Sequence, residues 1–543
     1  MHLWKSNVPF SRSDFLPMTP PLFPIPDTRF RSRRSFITAG TASLAAAVLS
    51  REYARGAVVS SPKFPSYPFT LGVASGDPTD TGVVLWTRLA PSPLEGGGMG
   101  TESVEVSWQI AEDEGMSKGV QKGTAIATPD WGHSIHIEVE GLQPERWYWY
   151  QFKAGSEVSP KGRTRTFPAA KTLPDRVRFA VASCQHYETG LFTCYEHMAR
   201  EDLDLVIHLG DYIYEDGGID KRVRKHVGPE IITLDHYRNR HAQYKTDPAL
   251  QAMHGAAPWL VTWDDHEFDN NCAGDISEHP EVQKADYLKR RAAAYQAYYE
   301  HMPLRRAAMP KGPDMLLYRR VPYGQLTDFH VLDTRQYRTD QPCGDHTKPQ
   351  CPEALDPNAT LLGAIQRDWL FENLAKSPAT WNVLAQQIMM ARVDRTAGTE
   401  AGFSMDQWPG YEMERRKVLK YMHDQRVSNP VVLTGDIHSN WANNLIADFD
   451  NLDSKVVATE FVGTSISSGG DGILKPKTLD STYAENPFVK FHSPERGYFT
   501  CEVTPKLWTT HFRGVEYVSK PGAPVHTRAS FTVEAGKPGL QKA

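Results

Sequence analysis

Apolar and polar residues alternate in short runs between residues 66 and 168: GVVLWTRL, VEVSWQIA, GTAIAT, SIHIEVEGL, RWYWYQFKA and RTRTFPA. Alternation of period two puts every second side chain on one face of a strand, and the Gly, Pro and Asp between the runs mark turns. The pattern predicts an all-β unit over 66–168, followed by AAKTLPD (169–175), a polar linker containing proline. From residue 176 the rhythm changes. VRFAVASC, DLVIHLGD, WLVTWDDHE, FHVLDTRQ, WNVLAQQ, PVVLTGDIHS and VVATEFVGTS are short apolar runs that end in polar, potentially reactive residues. Between them lie helical patterns: LFTCYEHMARED, KADYLKRRAAAYQAYYEHM, AIQRDWLFENLAK and YEMERRKVLKYMHD. Strands alternating with helices predict an α/β unit over 176–535, with sheets buried between helices.

Composition adds little to this and excludes some classes. The 543 residues suggest about two to four domains. A net charge of −5 and the lack of a basic stripe with interleaved aromatics argue against a dedicated nucleic-acid binder. Near the start, RSRRSFITAGTASLAAAVLS sets Arg33 and Arg34 before an apolar run from Phe36 to Leu49. Those 14 residues fall short of the roughly 20 that a transmembrane helix needs. SRRSFI resembles the twin-arginine export signal. Residues 1–57 are therefore expected to be a signal peptide read by the twin-arginine machinery, and the mature protein to be secreted or periplasmic. The small residues of Ala45-x-Ala47 and Ala54-x-Gly56 offer two cleavage points. The segment carries eight Lys/Arg and three Asp/Glu, so its removal takes the net charge to −10. Of the six cysteines, Cys343 and Cys351 lie in a polar loop suited to a local disulfide outside the cytosol. Cys194 and Cys272 read as buried thiols.

Ligands of open α/β sheets bind at the carboxyl ends of the strands, and four of these ends carry metal chemistry. Cys184 follows FAVAS, and Asp211 and Tyr214 follow VIHLG. Asp265, His266 and Glu267 follow LVTWD, with Asn270 and Asn271 just beyond. Asp436 and His438 follow VVLTG. Phenolate, thiolate and carboxylate with an imidazole suit a trivalent iron, whereas carboxylate and amide oxygens suit a neighbouring hard divalent ion. A carboxylate between them can bridge at about 3.5–4 Å. Tyr212, one residue after Asp211, reads as a packing residue. An arginine of YRNRHAQY (237–244) is a weaker candidate for phosphate binding, the exposed charged face of a helix being the commoner account. For Arg335 and Gln387, pocket lining and packing are equally good readings.

GDYIY matches the Gly-Asp-x-x-Tyr block of the purple acid phosphatases, within the metallophosphoesterase superfamily. DHE stands where that superfamily has Asn-His-Glu or Asn-His-Asp, and GDIH where it has Gly-His-x-His. SCQ replaces the usual Asp-x-His or Asp-x-Gly block, and Asp436 replaces a histidine. With TWDDHEFDNN, LGVASGDP, VLDTRQYR and GDIHSNW, these departures resemble the PhoD-type alkaline phosphatase/phosphodiesterase family, from about residue 66 to the C-terminus. EVEGLQPERWYWYQF is likewise similar to the closing strands of a fibronectin-type or immunoglobulin-like sandwich. The resemblance implies a two-sheet αββα metallophosphoesterase sandwich preceded by that all-β domain, and an iron(III)–calcium(II) centre. Cys184, Tyr214 and His438 would hold the iron, with Asp211 bridging to calcium, and Asp265, Asn271 and Asp436 would serve the calcium side. Hydroxide formed from a cation-bound water would attack phosphorus in line, with His266 contacting phosphate or assisting the leaving group. The implied substrates are phosphate mono- or diesters. One alternative within the superfamily is a phosphodiesterase specialised for teichoic acid or phospholipid, with phospholipase D-like action. An alternative of another class is an exported binding protein with a degenerate site, and the intact set Cys184, Asp211, Tyr214, His266 and His438 speaks against it.

Overall fold

The computed structural model describes residues 58–543, so the signal segment expected at 1–57 lies outside the described residues. Two large sheets organise the chain from there on. The first has ten strands in the order Lys537–Lys542, Val525–Glu534, Leu507–Val515, Gly497–Val503, Val177–Ala182, Leu205–His208, Trp259–Val261, Val73–Gly76, Val83–Arg88 and Ser134–Val139. The second has seven, in the order Arg319–Tyr323, Thr327–Val331, Trp381–Ala385, Pro430–Thr434, Val456–Val462, Asn440–Ile446 and Val489–Ser493. Their central strands pair in parallel: Val177–Ala182 with Leu205–His208 and Trp259–Val261 in one, Thr327–Val331 with Trp381–Ala385 and Pro430–Thr434 in the other.

The apolar runs of these central strands are continuous because both faces are covered. Val177, Phe179 and Val181 join Leu205, Ile207, Phe329, Val383 and Val431 in one apolar cluster between the two sheets. The alternate residues Ala180, Ala182 and Val206 pack with Tyr237, Tyr244, Met253 and Tyr298 from helices Leu234–Lys245, Pro248–Ala256 and Lys284–His301. On the second sheet, Leu384 and Val432 meet Leu370, Val418 and Leu419 from helices Gly363–Lys376 and Glu412–Asp424. The chain is thus a mixed α/β protein rich in sheet.

Two local features differ from the expectation. The pattern at 191–202 yields a helix only over Thr193–Met198. Leu234–Lys245, by contrast, is a full helix whose buried residues include Arg240, His241 and Lys245. LDHYRNRHAQYK lacks an apolar stripe, so its periodicity gives no sign of a packed face. Caps fix the ends there. The Thr233 side chain accepts from the His236 N–H, and Asp247 accepts from Ala249 and Leu250 ahead of Pro248.

The strands of 58–165 divide between two sheets. Val58–Val59, Ser103–Ala111, Gln121–Ala127, Trp147–Ala154, Glu157–Val158 and Gly162–Arg165 form a six-stranded sheet of their own. Val73–Gly76, Val83–Arg88 and Ser134–Val139 extend the ten-stranded sheet, through Gly76 paired with Trp259. Val83, Leu85 and Ile135 of this extension pack against Val106, Tyr150 and Phe152 of the six-stranded sheet. Gly76 is required at the joint, because a Cβ there would lie 2.5 Å from the Pro303 carbonyl oxygen and 2.8 Å from that of Trp259. Cys343 and Cys351 are disulfide-bonded, and Cys184, Cys194, Cys272 and Cys501 are free and buried. Among the described residues no helix is long and apolar enough to cross a membrane.

Candidate metal centre

The strands Val177–Ala182, Leu205–His208 and Pro430–Thr434 release their chains through turns that an L-residue enters only at some cost. Cys184 (φ 59°), Asp211 (φ 54°), Asn271 (φ 49°), Asp436 (φ 66°) and His438 (φ 52°) are all left-handed. Such positions cost about 1–3 kcal/mol each and concentrate at functional sites. Gly210, at φ 107°, admits no side chain, because a Cβ would collide with the backbone nitrogen and Cβ of Asp264. That contact brings the turn of Asp211 against the turn of Asp264 and Asp265. Glu267 ties the two together by accepting hydrogen bonds from the backbone N–H groups of Asp211 (3.1 Å), Asp264 (2.8 Å) and Tyr212. Tyr212 itself is buried, with its hydroxyl 2.7 Å from His254 Nε2, as a packing residue should be.

The turns bring expected side chains, joined by Asp264, together in three overlapping groups. Donor atoms of Cys184, Asp211 and His438 lie within 4.8 Å of one another, as do those of Asp211, Asp265 and His266, and those of Asp264, Asp265 and Asp436. Asp211 belongs to two groups and Asp265 to two. Tyr214 joins the first: its hydroxyl donates to Asp211 Oδ2 at 2.8 Å and stands 3.2 Å from His438 Nε2. Asn271 sits at the rim, with its N–H donating to Asp265 Oδ2 (2.7 Å) and its amide to Asp345 Oδ2 (3.2 Å). All of these groups border an open cleft of about 260 Å³ except Cys184, Tyr214 and Asp264, which lie beneath it.

Several partners gave little sign in the sequence. Ser468, from a loop after the Val456–Val462 strand, has its hydroxyl oxygen 2.7 Å from both the Tyr214 hydroxyl and the Cys184 carbonyl, tying the two together. Glu215 accepts from His266 Nδ1 at 2.7 Å, and only its adjacency to Tyr214 hinted at a role. Asp264 was not singled out, although the doubled Asp of TWDDHE was a signal that could have found it. Asp406, Gln407 and Arg395 reach the cleft from a loop with no motif. Arg335 proves to be a buried hub: it pairs with Asp264, with Asp406 (3.1 Å), with Asp436 (3.0 Å) and with Asp265 (3.6 Å). Gln387 is buried between the sheets, accepting from Thr334 and donating to Thr262 and Leu332, away from the cleft. Within 237–244, Arg238 pairs with Glu300 and Arg240 donates to the carbonyls of Tyr214 and Asp216. Both arginines are therefore engaged by the protein.

The electrostatics call for cations. Asp211 Oδ1, Asp264 Oδ2 and Asp265 Oδ1 are buried without a hydrogen-bond partner. Bare carboxylate oxygens away from water are costly unless a positive charge offsets them. Burial and the nearby Asp211 charge push the Cys184 thiol well up, and burial, Asp211 and Cys184 do the same to the Tyr214 phenol. Burial opposes ionisation of Asp211 too, but His266, His438 and the Tyr214 hydroxyl outweigh it and hold that carboxyl below its usual range. Burial also disfavours a charged His266, yet Glu215, Asp211 and Asp265 raise it well above an ordinary histidine. Thiol, phenol and imidazole beside carboxylate suit a transition metal, the cluster of carboxylates suits a harder cation, and Asp211 belongs to both sets.

Donor groups suited to cations, gathered at the ends of strands from two buried sheets and facing a polar cleft, are the arrangement of a metal-dependent enzyme. A family model described as PhoD-like phosphatase matches residues 179–512, and one described as its N-terminal domain matches residues 55–168. The chain is 52% identical over 490 residues to Alkaline phosphatase D of Bacillus subtilis (strain 168), covering 89% of this chain and 84% of that protein. It is similar to the solved structure of PhoD with a TM-score of 0.87 at 52% identity, over 89% of this chain and 93% of that one. The chain belongs to the PhoD-like phosphatase family and is a phosphoric ester hydrolase.

Proposed function

We propose that the protein is a secreted alkaline phosphatase/phosphodiesterase that hydrolyses phosphate mono- and diesters at an iron(III)–calcium(II) centre. The observation that carries this reading is the Asp211 carboxylate, which is shared between the Cys184–His438 group and the Asp265–His266 group and keeps one buried oxygen unpartnered. Cys184, Tyr214 and His438 would hold the iron through a thiolate, a phenolate and an imidazole, with Asp211 placed to serve both cations. Asp265, Asn271 and Asp436 offer calcium hard oxygens. When bound, the cations supply activation of water and neutralise charge on the phosphoryl oxygens. His266 does the proton work. Glu215 holds its Nδ1 and favours the charged ring, which leaves Nε2 free of protein hydrogen bonds and able to donate to phosphate or to the leaving oxygen. Export follows the twin-arginine reading of residues 1–57. Residues 66–168 are read as the fibronectin-like sandwich and 176–535 as the metallophosphoesterase αββα unit.

The test is hydrolysis of a chromogenic phosphomonoester and a diester by the mature protein, with calcium supplied and then chelated. Turnover should vanish on chelation and return with calcium, and the faster ester defines the preference. The loaded protein should also be coloured by tyrosinate-to-iron(III) charge transfer, and Tyr214→Phe should bleach or shift that band. A colourless, iron-free and fully active preparation would overturn the iron assignment.

A further inference from the structure

The arginines around the centre are bonded to the protein, with one exception. Arg335 faces four carboxylates; Arg338 donates to Asp406 (2.8 Å) and to the Asn271 carbonyl (3.0 Å); Arg496 donates to the carbonyls of His438 (3.0 Å) and Ser468 (2.7 Å). Arg395 borders the cleft, its side chain is exposed, and its guanidinium makes no hydrogen bond or ion pair among the described residues. It is also the one Lys or Arg side chain among the described residues lining the cleft, whose acidic walls are Asp211, Asp265, Asp406 and Asp436 and whose histidines are His266 and His438.

The backbone that presents Arg395 is nonetheless fixed. Its N–H donates to the Gly402 carbonyl at 2.8 Å. The preceding Asp394 accepts from the N–H groups of Thr396 (3.0 Å) and Gly402 (2.9 Å). Asn486 clasps Asp394 from both sides, accepting from its N–H (2.8 Å) and donating to its carbonyl (2.9 Å). An anchored loop that offers an unbonded guanidinium to an acidic cleft is suited to an anionic ligand.

We propose that Arg395 is a substrate-binding residue that grips nonbridging phosphate oxygens and favours the doubly charged monoester over the diester. The inference rests on the phosphoesterase function proposed for this centre and deepens it. A guanidinium is charged at any working pH, and its planar fork matches two phosphate oxygens. A monoester at alkaline pH has three nonbridging oxygens and two negative charges, whereas a diester has two oxygens and one charge. The extra oxygen and charge are what the side chain recognises, and hydrogen bonds between charged partners are the strong ones.

The experiment compares wild type, Arg395→Ala and Arg395→Lys on a chromogenic monoester and diester, with inorganic phosphate as competitive inhibitor. Arg395→Ala should lose about 10- to 100-fold in kcat/KM on the monoester, mainly through KM, and only a few-fold on the diester. Phosphate inhibition should weaken in parallel, and lysine should restore part of both. The thermal midpoint should not move, because the side chain holds nothing in the fold. Wild-type turnover with Arg395→Ala unchanged, or with both esters losing equally in kcat alone, overturns this inference by itself. A metal-loaded wild type that hydrolyses neither ester defeats the phosphatase reading, and this inference with it.

Discussion

Three backbone N–H groups converge on the Glu267 carboxylate, so a residue that the sequence sets among candidate ligands works instead as the tie between two ligand-bearing turns. Burial, with Asp211 adding to it, pushes Glu267 up to about 8 against the pull of those donors. Lys245 shows the same tension between burial and charge, away from the centre. Its ammonium is buried above the Trp86 ring at 4.5 Å, and the neighbouring His254 is held neutral. Burial brings Lys245 down to about 7 from an ordinary value of 10.5. Below pH 7 both folded and unfolded chains carry the proton, and the folded state bears the full cost of burying it. Between pH 7 and 10.5 the unfolded chain holds a proton that the folded chain has released, so this residue makes stability rise with pH. Lys245→Met should therefore stabilise the protein by roughly 2–5 kcal/mol at pH 6 and by less than about 1 kcal/mol at pH 10. Urea denaturation at the two pH values checks this; a stability difference that does not change with pH refutes it.

At the scale of elements, the strand ends were the legible part. An apolar run that stops at Gly210-Asp211 or at Gly435-Asp436 is a local signal, and the structure brings Cys184, Asp211, Tyr214, Asp265, His266, Asp436 and His438 to neighbouring turns. Arg395, Asp406 and Ser468 were not legible, because a loop residue that enters a site carries no periodicity of its own. The division of the N-terminal strands was equally hidden. Their alternation reads the same whether Val83–Arg88 pairs within its own unit or extends a distant sheet, and the pairing of Gly76 with Trp259 leaves no mark in either segment. That joint has a consequence. Trp259–Val261 has Leu205–His208 on one side and Val73–Gly76 on the other, and the Trp86 indole donates to the Glu300 carbonyl at 2.9 Å. Without residues 58–168 the parallel strand Trp259–Val261 becomes an open apolar edge, a template for association. Residues 169–543 expressed alone should elute as aggregates on size-exclusion chromatography under conditions where 58–543 remains dispersed. A discrete, folded 169–543 would show that the joint is dispensable.

For the whole molecule, the centre is a concentration of like charge that folding must hold together. Arg335 faces Asp264, Asp265, Asp406 and Asp436, one cation among four carboxylates, with Asp211 close by. Burial raises Asp264, Asp265 and Asp436, and Arg335 only partly counters it. Two sheets and their helices converge on this point, so repulsion there weakens the contact between layers rather than a single loop. Cations that bind the folded chain stabilise it by mass action, by about 4 kcal/mol when free cation exceeds the dissociation constant 1,000-fold. Chelation should then lower the thermal midpoint, by on the order of 5 °C for a chain of this size. Asp211→Asn separates this effect from a general influence of the chelator. It removes the carboxylate shared by two donor groups, so its midpoint should be nearly insensitive to chelation. Calorimetry of both proteins, with and without cation, decides the matter. If wild type and Asp211→Asn respond alike, the cations that stabilise the fold bind elsewhere than at Asp211.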